Sequence, residues 1–347
     1  MNKFCAFLSN GINIEKRSRG YSVTPCCWYD EEIIIPDLTP QNIQTARNKF
    51  SHIDSWVPAC NACKTLETHG GSSFRHSSFD VVVDDDDTVQ HLDLMLHNVC
   101  QNACIICSSD FSSTWYKQTG GVKPFMFDKL QFENLKQFNL DNVRTIRFKG
   151  GEPFANDLHL DFLALIKNPE QCDIQYTVSA QTLPSQRTWD TISKFRLVKI
   201  EFSADGVGEQ FEYIRYPQKW SNFVNNCKTI RQIAPVNTLF RFNYTVNPFN
   251  IAYFDRFQHW VDTEFADNRL GDPTEINLHE CTGNLACDKT PPALIQTIKT
   301  NNLQLQGMIS MDRYTEHDSM IAYMDFWDTQ RNLNWRSVFP ELVQYYE

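Results

Sequence analysis

The chain has 347 residues, of which 41% are hydrophobic and 13% aromatic. That is enough for one large α/β domain with an appendage, or for two domains. The formal net charge of −10 argues against a broadly basic surface, so a nucleic-acid substrate is not expected. No apolar run reaches the ~18 residues of a membrane span, and the apolar stretch at the amino terminus is too short for a secretory signal.

The number and spacing of the cysteines indicate the cellular compartment and the kind of site that they form. We expect the twelve cysteines to lie in a reducing cytoplasm, where clustered spacings indicate metal or redox sites. Near the amino terminus, Cys5, Cys26, Cys60 and Cys63 could ligate one [4Fe–4S] cluster, with Cys27 competing with Cys26. A structural zinc ion accepts the same four thiolates, so the residues alone leave both alternatives open.

An acidic run, Asp84–Asp87, is typical of a solvated turn and marks the join to the core of the chain. Beyond it, predicted strands and helices alternate. Apolar periodicity predicts strands at 91–96, 143–148, 174–179, 197–203, 238–246 and 275–279. Helices are predicted at 108–118, 128–138, 157–166, 186–195, 220–233 and 252–263. This alternation predicts an α/β fold with a parallel sheet and right-handed crossovers.

Three cysteines, Cys100, Cys104 and Cys107, follow the first of these strands with C-x3-C-x2-C spacing. Soft thiolates suit iron–sulfur clusters, and such a loop can ligate three irons of one cube while the fourth stays open. The alternatives are a zinc site or three buried core cysteines. Zinc would need a fourth ligand close by, and His97 faces away from the loop if the strand alternation continues.

A second motif, Gly150-Gly151-Glu152-Pro153, follows the next predicted strand. Paired glycines let the backbone approach a ligand closely and adopt conformations that other residues avoid. The carboxylate of Glu152 adds an acceptor for a cationic amine. As an isolated string, the motif would also fit an ordinary turn between a strand and a helix.

A third motif begins with Ser203 at the end of the fourth strand and includes Asp205, with Arg215 about a dozen residues later. A guanidinium fork can bind both oxygens of a carboxylate. The alternative makes Ser203 and Asp205 helix-capping residues and Arg215 a surface charge. Gln181, after the third strand, is a doubtful site residue.

Together the three motifs resemble the radical S-adenosylmethionine (SAM) enzymes. The resemblance implies a partial (β/α)6 barrel with chemistry at the carboxyl ends of its strands. It implies a [4Fe–4S] cluster on Cys100, Cys104 and Cys107, whose open iron binds SAM and whose electron releases a 5′-deoxyadenosyl radical. The implied residues around SAM are Gly150, Gly151, Glu152, Ser203, Asp205 and Arg215. In the family, the GGEP motif holds the SAM amino group, the serine its ribose and the arginine its carboxylate.

The amino-terminal cysteines resemble the twitch-type auxiliary-cluster module, a shortened SPASM domain, and this favours a second [4Fe–4S] cluster over zinc. The similarity continues at Trp220, near Asn250 and in the tail Asn332–Glu341. The expected domains are an auxiliary module at 1–88, the radical SAM barrel at 89–285 and a helical cover at 286–347.

The resemblance implies a peptide or protein substrate from which hydrogen is abstracted, and an electron donor such as flavodoxin or ferredoxin. The same chemistry on a nucleotide-sugar or another small molecule, including sulfur insertion, is the first alternative. The second alternative is a non-catalytic, cysteine-rich protein that senses metal or redox state.

Overall fold

The computed structural model describes residues 4–68, 73–78, 88–138, 140–266, 273–298, 302–309 and 313–347. The predicted acidic join, Asp84–Asp87, lies outside these ranges. The described residues form a nine-stranded, mostly parallel sheet with helices packed against it.

The strands, in chain order, are β1 Gly11–Arg17, β2 Gly20–Thr24, β3 Ile34–Ile35, β4 His91–Leu94, β5 Thr145–Phe148, β6 Asp173–Val178, β7 Leu197–Ser203, β8 Thr238–Val246 and β9 Glu275–Glu280. Their order in the sheet is β3-β2-β1-β4-β5-β6-β7-β8-β9. The α-helices are α1 Ala6–Asn10, α2 Pro40–Arg47, α3 Asn61–Thr68, α4 Ser113–Thr119, α5 Lys129–Leu135, α6 Leu158–Leu163, α7 Gln186–Ile192, α8 Glu209–Ile214, α9 Trp220–Ile233, α10 Phe254–Glu264, α11 Pro292–Ile295, α12 Leu303–Met308, α13 Asp318–Arg331, α14 Trp335–Val338 and α15 Val343–Tyr346.

The six strands predicted from periodicity all form, as β4 to β9. Each pairs in parallel with the next along the chain, which confirms the α/β prediction. Three further strands, to which the sequence patterns gave no assignment, come from the amino-terminal part. β1 and β2 form an antiparallel pair, and β1 lies parallel to β4, so these strands extend the same sheet.

One face of this sheet is apolar and the other is polar. Side chains of a strand point alternately to opposite faces, and the residues facing the helices include Ile146, Ile174 and Val198, all fully buried. The other face carries a row of residues in register across four strands: Asp93, Arg147, Gln175 and Lys199. We call this surface the polar face. Parallel sheets are usually apolar on both faces, so a polar face needs a local reason.

Farther along the polar face, Glu201 is held by two amides. Asn243 Nδ2 donates to one carboxylate oxygen at 3.0 Å, and Asn277 Nδ2 donates to the other at 3.1 Å. Ser203 continues the same face at the end of β7. The candidate site described below therefore lies at the carboxyl end of a surface already built from polar groups.

A second, smaller apolar cluster joins the carboxy-terminal helices to the cysteine loop. Trp327 from α13 and Trp335 from α14 pack in one cluster with Ala103 and Ile105, which lie between the cysteines. The carboxy-terminal helices therefore cover the cysteine loop. Among the described residues, no helix combines the length and the apolar character needed to cross a membrane.

Candidate functional site

The predicted motifs lie at the ends of three strands of the parallel part of the sheet. The cysteine loop follows β4, the glycine–glutamate loop follows β5, and Ser203 ends β7. Because β4, β5, β6 and β7 are parallel neighbours, their carboxyl ends share one edge. Ligands of open α/β sheets bind at that edge.

The glycine–glutamate loop packs against the segment just before Cys100. The amide of Glu152 donates to the carbonyl of Val99 at 2.8 Å. Gly150 and Gly151 have φ of 75° and 61°, a region that favours glycine. A Cβ atom on Gly151 would lie 2.5 Å from the Val99 oxygen. The close approach of the two loops therefore depends on a residue without a side chain.

The cysteine loop is also bonded to the segment that carries Arg215. The amide of Ala103 donates to the carbonyl of Tyr216 at 2.7 Å, and the amide of Ile105 donates to the carbonyl of Ile214 at 2.8 Å. Arg215 itself is only 8% exposed. This overturns the alternative in which it is a surface charge.

The three thiols influence one another. Burial raises the pKa of Cys100, and Cys104 and Cys107 raise it further. Burial also raises the pKa of Cys107 to about 12, and Arg215 acts in the opposite direction. Burial disfavours the thiolate form of these cysteines, and a bound metal centre would stabilise it. The three thiols therefore fit the ligand set of an iron–sulfur cluster.

Within the described ranges, no three His, Cys, Asp or Glu side chains surround one point as ligands of a single metal ion would. The thiolates of an iron–sulfur cube bind separate irons rather than one ion. A cluster on Cys100, Cys104 and Cys107 therefore does not require that arrangement.

The two carboxylate oxygens of Glu152 are in different situations. Oε2 accepts hydrogen bonds from the backbone amide of Ser179, at 2.7 Å, and from the Ser179 hydroxyl. Oε1 is buried and has no hydrogen-bond partner among the described residues. Burial raises the pKa of Glu152 to about 7, although hydrogen bonds from Ser179 and from the backbone of Phe154 lower it. A buried acceptor without a donor is costly, and a cationic amine would satisfy it.

A hydrogen-bond chain links the cysteine loop to Glu152. Asn102 Nδ2 donates to Gln218 Oε1 at 2.8 Å, and Gln218 Nε2 donates to the carbonyl of Ser179 at 2.8 Å. Ser179 in turn donates to Glu152. The sequence patterns did not single out Asn102, Gln218 or Ser179, because their roles depend on contacts between distant segments. The side chain of Gln181, the doubtful candidate in this loop, takes no part in these hydrogen bonds, although its backbone amide donates to the Ser179 hydroxyl at 3.3 Å.

Arg215 is held by Asp205. Arg215 Nε donates to Asp205 Oδ2 at 2.6 Å, and the amide of Thr245 donates to Asp205 Oδ1 at 2.7 Å. Asp205 is fully buried. The ion pair therefore fixes the guanidinium in the segment that is hydrogen-bonded to the cysteine loop.

The four amino-terminal cysteines predicted as a set line one cavity. Its empty space is about 360 Å³, partly open to solvent, and the thiol-bearing residues along it are Cys5, Cys26, Cys60 and Cys63. Burial, with a smaller contribution from Cys63 and Cys60, raises the pKa of Cys5 to about 11. We call this the auxiliary cavity. Four thiols around one space are the donor set of a closed cluster.

The structure separates Cys26 from Cys27. Cys26 lines the auxiliary cavity, whereas Cys27 is exposed and lies within electrostatic range of Asp93, Lys149 and Arg147. Asp93 and Arg147 belong to the polar face. Of the two competing ligands, Cys26 is therefore the one that shares a cavity with the other three cysteines.

A cation also borders the auxiliary cavity. Arg75 lines it, donates through Nε to Glu67 at 2.9 Å, and donates through Nη1 to the carbonyl of Phe4 at 2.7 Å. Its guanidinium lies 5.0 Å from the ring of Trp56. The positive charge is thus fixed beside the thiols, where it favours their negative form.

No protein-family model matches this sequence, and no curated protein sequence matches it. Solved structures do match. SuiB of Streptococcus suis bound to S-adenosylmethionine is 12% identical, over 96% of this chain and 75% of that chain, with a TM-score of 0.43. Native anSMEcpe with bound AdoMet is 14% identical, over 55% of this chain and 52% of that chain, with a TM-score of 0.41. TYW1 with a lysine-pyruvate adduct bound is 12% identical, over 58% of this chain and 68% of that chain, with a TM-score of 0.32. These similarities are distant, so the function has to be judged from the residues of the site.

Proposed function

We propose that this chain is a radical SAM enzyme. The observation that carries the proposal is the buried, unpartnered Oε1 of Glu152. Glu152 is bonded to the segment before Cys100, and a hydrogen-bond chain joins it to the cysteine loop. An acceptor for an amine beside three clustered thiols is what a SAM-binding iron–sulfur site requires.

The proposal assigns a role to each group around the site. A cluster on Cys100, Cys104 and Cys107 would supply one-electron reduction at its open iron, which cleaves SAM and yields the 5′-deoxyadenosyl radical. Oε1 of Glu152 would accept a hydrogen bond from the SAM ammonium group. The guanidinium of Arg215 would bind the SAM carboxylate.

The surrounding residues would support these contacts. Gly150 and Gly151, with their positive φ and close packing against Met95 and Val99, would let the loop present Glu152 to SAM. Asp205 orients Arg215 through their ion pair. Ser203 would contact the ribose from its buried position at the end of β7.

The finer architecture is part of the same proposal. We infer that β4 to β9 form the partial (β/α)6 barrel over residues 89–285, with an auxiliary module at 1–88 and a helical cover at 286–347. The four thiols of the auxiliary cavity support a second [4Fe–4S] cluster in the module. Four protein ligands would close that cluster, which suits a structural role or electron relay.

We propose a peptide or protein side chain as substrate and a flavodoxin or ferredoxin as electron donor. The polar face supports a substrate rich in hydrogen-bonding groups, because it carries Asp93, Arg147 and Glu201 on strands whose carboxyl ends bear the candidate site. A nucleotide-sugar shares that polarity and is the alternative substrate class.

The test is anaerobic reconstitution with iron and sulfide, followed by incubation with dithionite and SAM. We expect 5′-deoxyadenosine from the wild type and none from Cys104→Ala. Cys172→Ala is the matched control, because Cys172 is a buried cysteine of the main core. It directly precedes β6, at the end of the strand opposite the candidate site. A wild-type preparation that holds its iron but forms no 5′-deoxyadenosine would refute the proposal.

A further inference from the structure

The last residue of α13, Arg331, is buried among aromatic rings. Its side chain ends 4.9 Å from the ring centre of Trp115, 4.8 Å from that of Tyr216 and 4.5 Å from that of Trp327. The residue is only 8% exposed. We call these three rings the aromatic box. Rings attract a cation through their faces, but they do not satisfy its N–H donors.

The hydrogen bonding of Arg331 is incomplete. Nη2 donates to the neutral amide oxygen of Gln118 at 3.0 Å. Nε and Nη1 are buried and have no partner among the described residues. Unsatisfied buried donors are costly, and buried charges are normally paired. The folded chain therefore holds a buried positive charge that a nearby anion would stabilise.

The aromatic box is attached to the cysteine loop. Trp115 Nε1 donates to the carbonyl of Cys104 at 2.8 Å, and the carbonyl of Tyr216 accepts from the amide of Ala103 at 2.7 Å. Because Arg331 lies against the rings of both Trp115 and Tyr216, its guanidinium lies beside the cysteine loop, on the side covered by the carboxy-terminal helices.

We propose that Arg331 is a positioning residue of the catalytic cluster, whose charge is balanced by the cysteine thiolates once the cluster is bound. The inference rests on the proposed function, because it requires a cluster on Cys100, Cys104 and Cys107. It adds a residue from the far end of the chain, which none of the three motifs contains.

Two consequences distinguish this role from simple packing. A cluster with thiolate ligands is anionic and gains a further negative charge on reduction, so a nearby cation favours both loading and the reduced state. Loss of the cation should therefore reduce the stabilisation that the cluster gives the protein. It should also make the midpoint potential of the cluster more negative.

The experiment compares wild type, Arg331→Met, Arg331→Lys and the exposed-surface control Arg256→Met. All are made with Cys60→Ala and Cys63→Ala, so that only the catalytic cluster contributes. The readouts are the unfolding temperature before and after reconstitution, the rate of iron loss to a chelator, and the midpoint potential from a titration followed by electron paramagnetic resonance. Arg331→Gln replaces Arg331→Met if the latter does not fold.

We expect Arg331→Met to lose most of the rise in unfolding temperature on loading, to release iron several-fold faster and to have a more negative potential. Arg331→Lys and Arg256→Met should stay near the wild type. Wild-type behaviour of Arg331→Met in all three measurements would overturn the inference alone. Failure of the wild-type protein to hold iron at the remaining cysteines would instead count against the proposed function.

Discussion

The two carboxylate oxygens of Glu152 lie in different environments. Its Oε2 is bound by Ser179, while its Oε1 is buried without a donor. Burial raises its pKa from 4.5 to about 7. The carboxylate is therefore costly until a cation arrives, and a bound ammonium would recover that cost. This arrangement supports the proposed role of Glu152 in binding the ammonium group of a ligand.

This asymmetry predicts a pH-dependent effect of Glu152→Gln. The folded state holds the proton more tightly than the unfolded chain, so wild-type stability falls as the pH rises from about 4.5 through about 7. Gln has no proton to lose. Relative to wild type, the variant should gain up to about 3 kcal/mol between about pH 4.5 and about pH 8.

Urea unfolding at the two pH values measures this gain in the protein without cofactors. Glu170→Gln, at an exposed carboxylate, serves as control and should show no such difference. Calorimetry should also show that Glu152→Gln binds SAM more weakly in reconstituted protein. Equal unfolding free energies for wild type and Glu152→Gln at both pH values would contradict the prediction.

Cys26 and Cys27 permit a second test between adjacent residues. Cys26 shares the auxiliary cavity with Cys5, Cys60 and Cys63, whereas Cys27 does not line it. We expect Cys26→Ala to lose about half of the bound iron, one of two clusters, and Cys27→Ala to retain all of it. Iron and sulfide analysis with visible absorption measures both. A loss of iron in Cys27→Ala alone would reverse the assignment.

Among the structural elements, the glycine–glutamate loop is the most constrained. A side chain at Gly151 would require the left-handed region, which costs about 1–2 kcal/mol, and its Cβ would also collide with the carbonyl of Val99. Gly151→Ala should therefore destabilise the protein by more than that amount and abolish SAM binding.

Gly283→Ala is the matched control for this element. Gly283 has φ of 70°, yet a Cβ there would meet nothing within 4 Å. It should incur only the backbone cost and bind SAM normally. Chemical denaturation and calorimetry measure the two effects, and equal behaviour of the two variants would show that contact with Val99 is unimportant.

Elements with strong periodicity could be predicted from the sequence alone. The helix predicted at 220–233 is α9, and the strand predicted at 238–246 is β8, with the same bounds. β1 to β3 escaped prediction, because β3 has two residues and β1 is completed by pairing with β4, far along the chain. Short strands depend on partners that no local pattern reveals.

At the scale of the whole molecule, the site is completed by contacts between remote segments. Asn102 and Gln218 are 116 positions apart, and Gln118 and Arg331 are 213 apart. The cysteine, glycine–glutamate and arginine positions could be predicted as candidate site residues from the sequence because their residue types and spacing suit a particular chemistry, and they stay predictions. Ordinary residue types such as Ser179 and Gln218 acquire a role only through folding.

The carboxy-terminal cover supplies a test at this scale. Trp335 is fully buried, lies 5.2 Å from the ring of Phe249, and packs in one cluster with Ala103 and Ile105. Trp335→Ala should cost about 3–5 kcal/mol of unfolding free energy. Because the cluster includes the cysteine loop, the variant should also retain less iron on Cys100, Cys104 and Cys107.

The control for Trp335→Ala is Phe326→Ala on α13, since Phe326 is 54% exposed. It should change neither stability nor iron content appreciably. Denaturant titration and iron analysis in the background lacking Cys60 and Cys63 report the two quantities. Full iron retention by Trp335→Ala would show that the cover and the cysteine loop are independent.

The placement of Cys26 and Cys27 on different surroundings has a broader consequence. Cys26 lines the auxiliary cavity with the other three thiols, whereas Cys27 lies near the charged residues of the polar face. A molecule bound on that face would contact the same short stretch of backbone that would hold the proposed auxiliary cluster. If that cluster is bound, its spectrum should therefore change when the substrate is added, and the change would serve to identify the substrate.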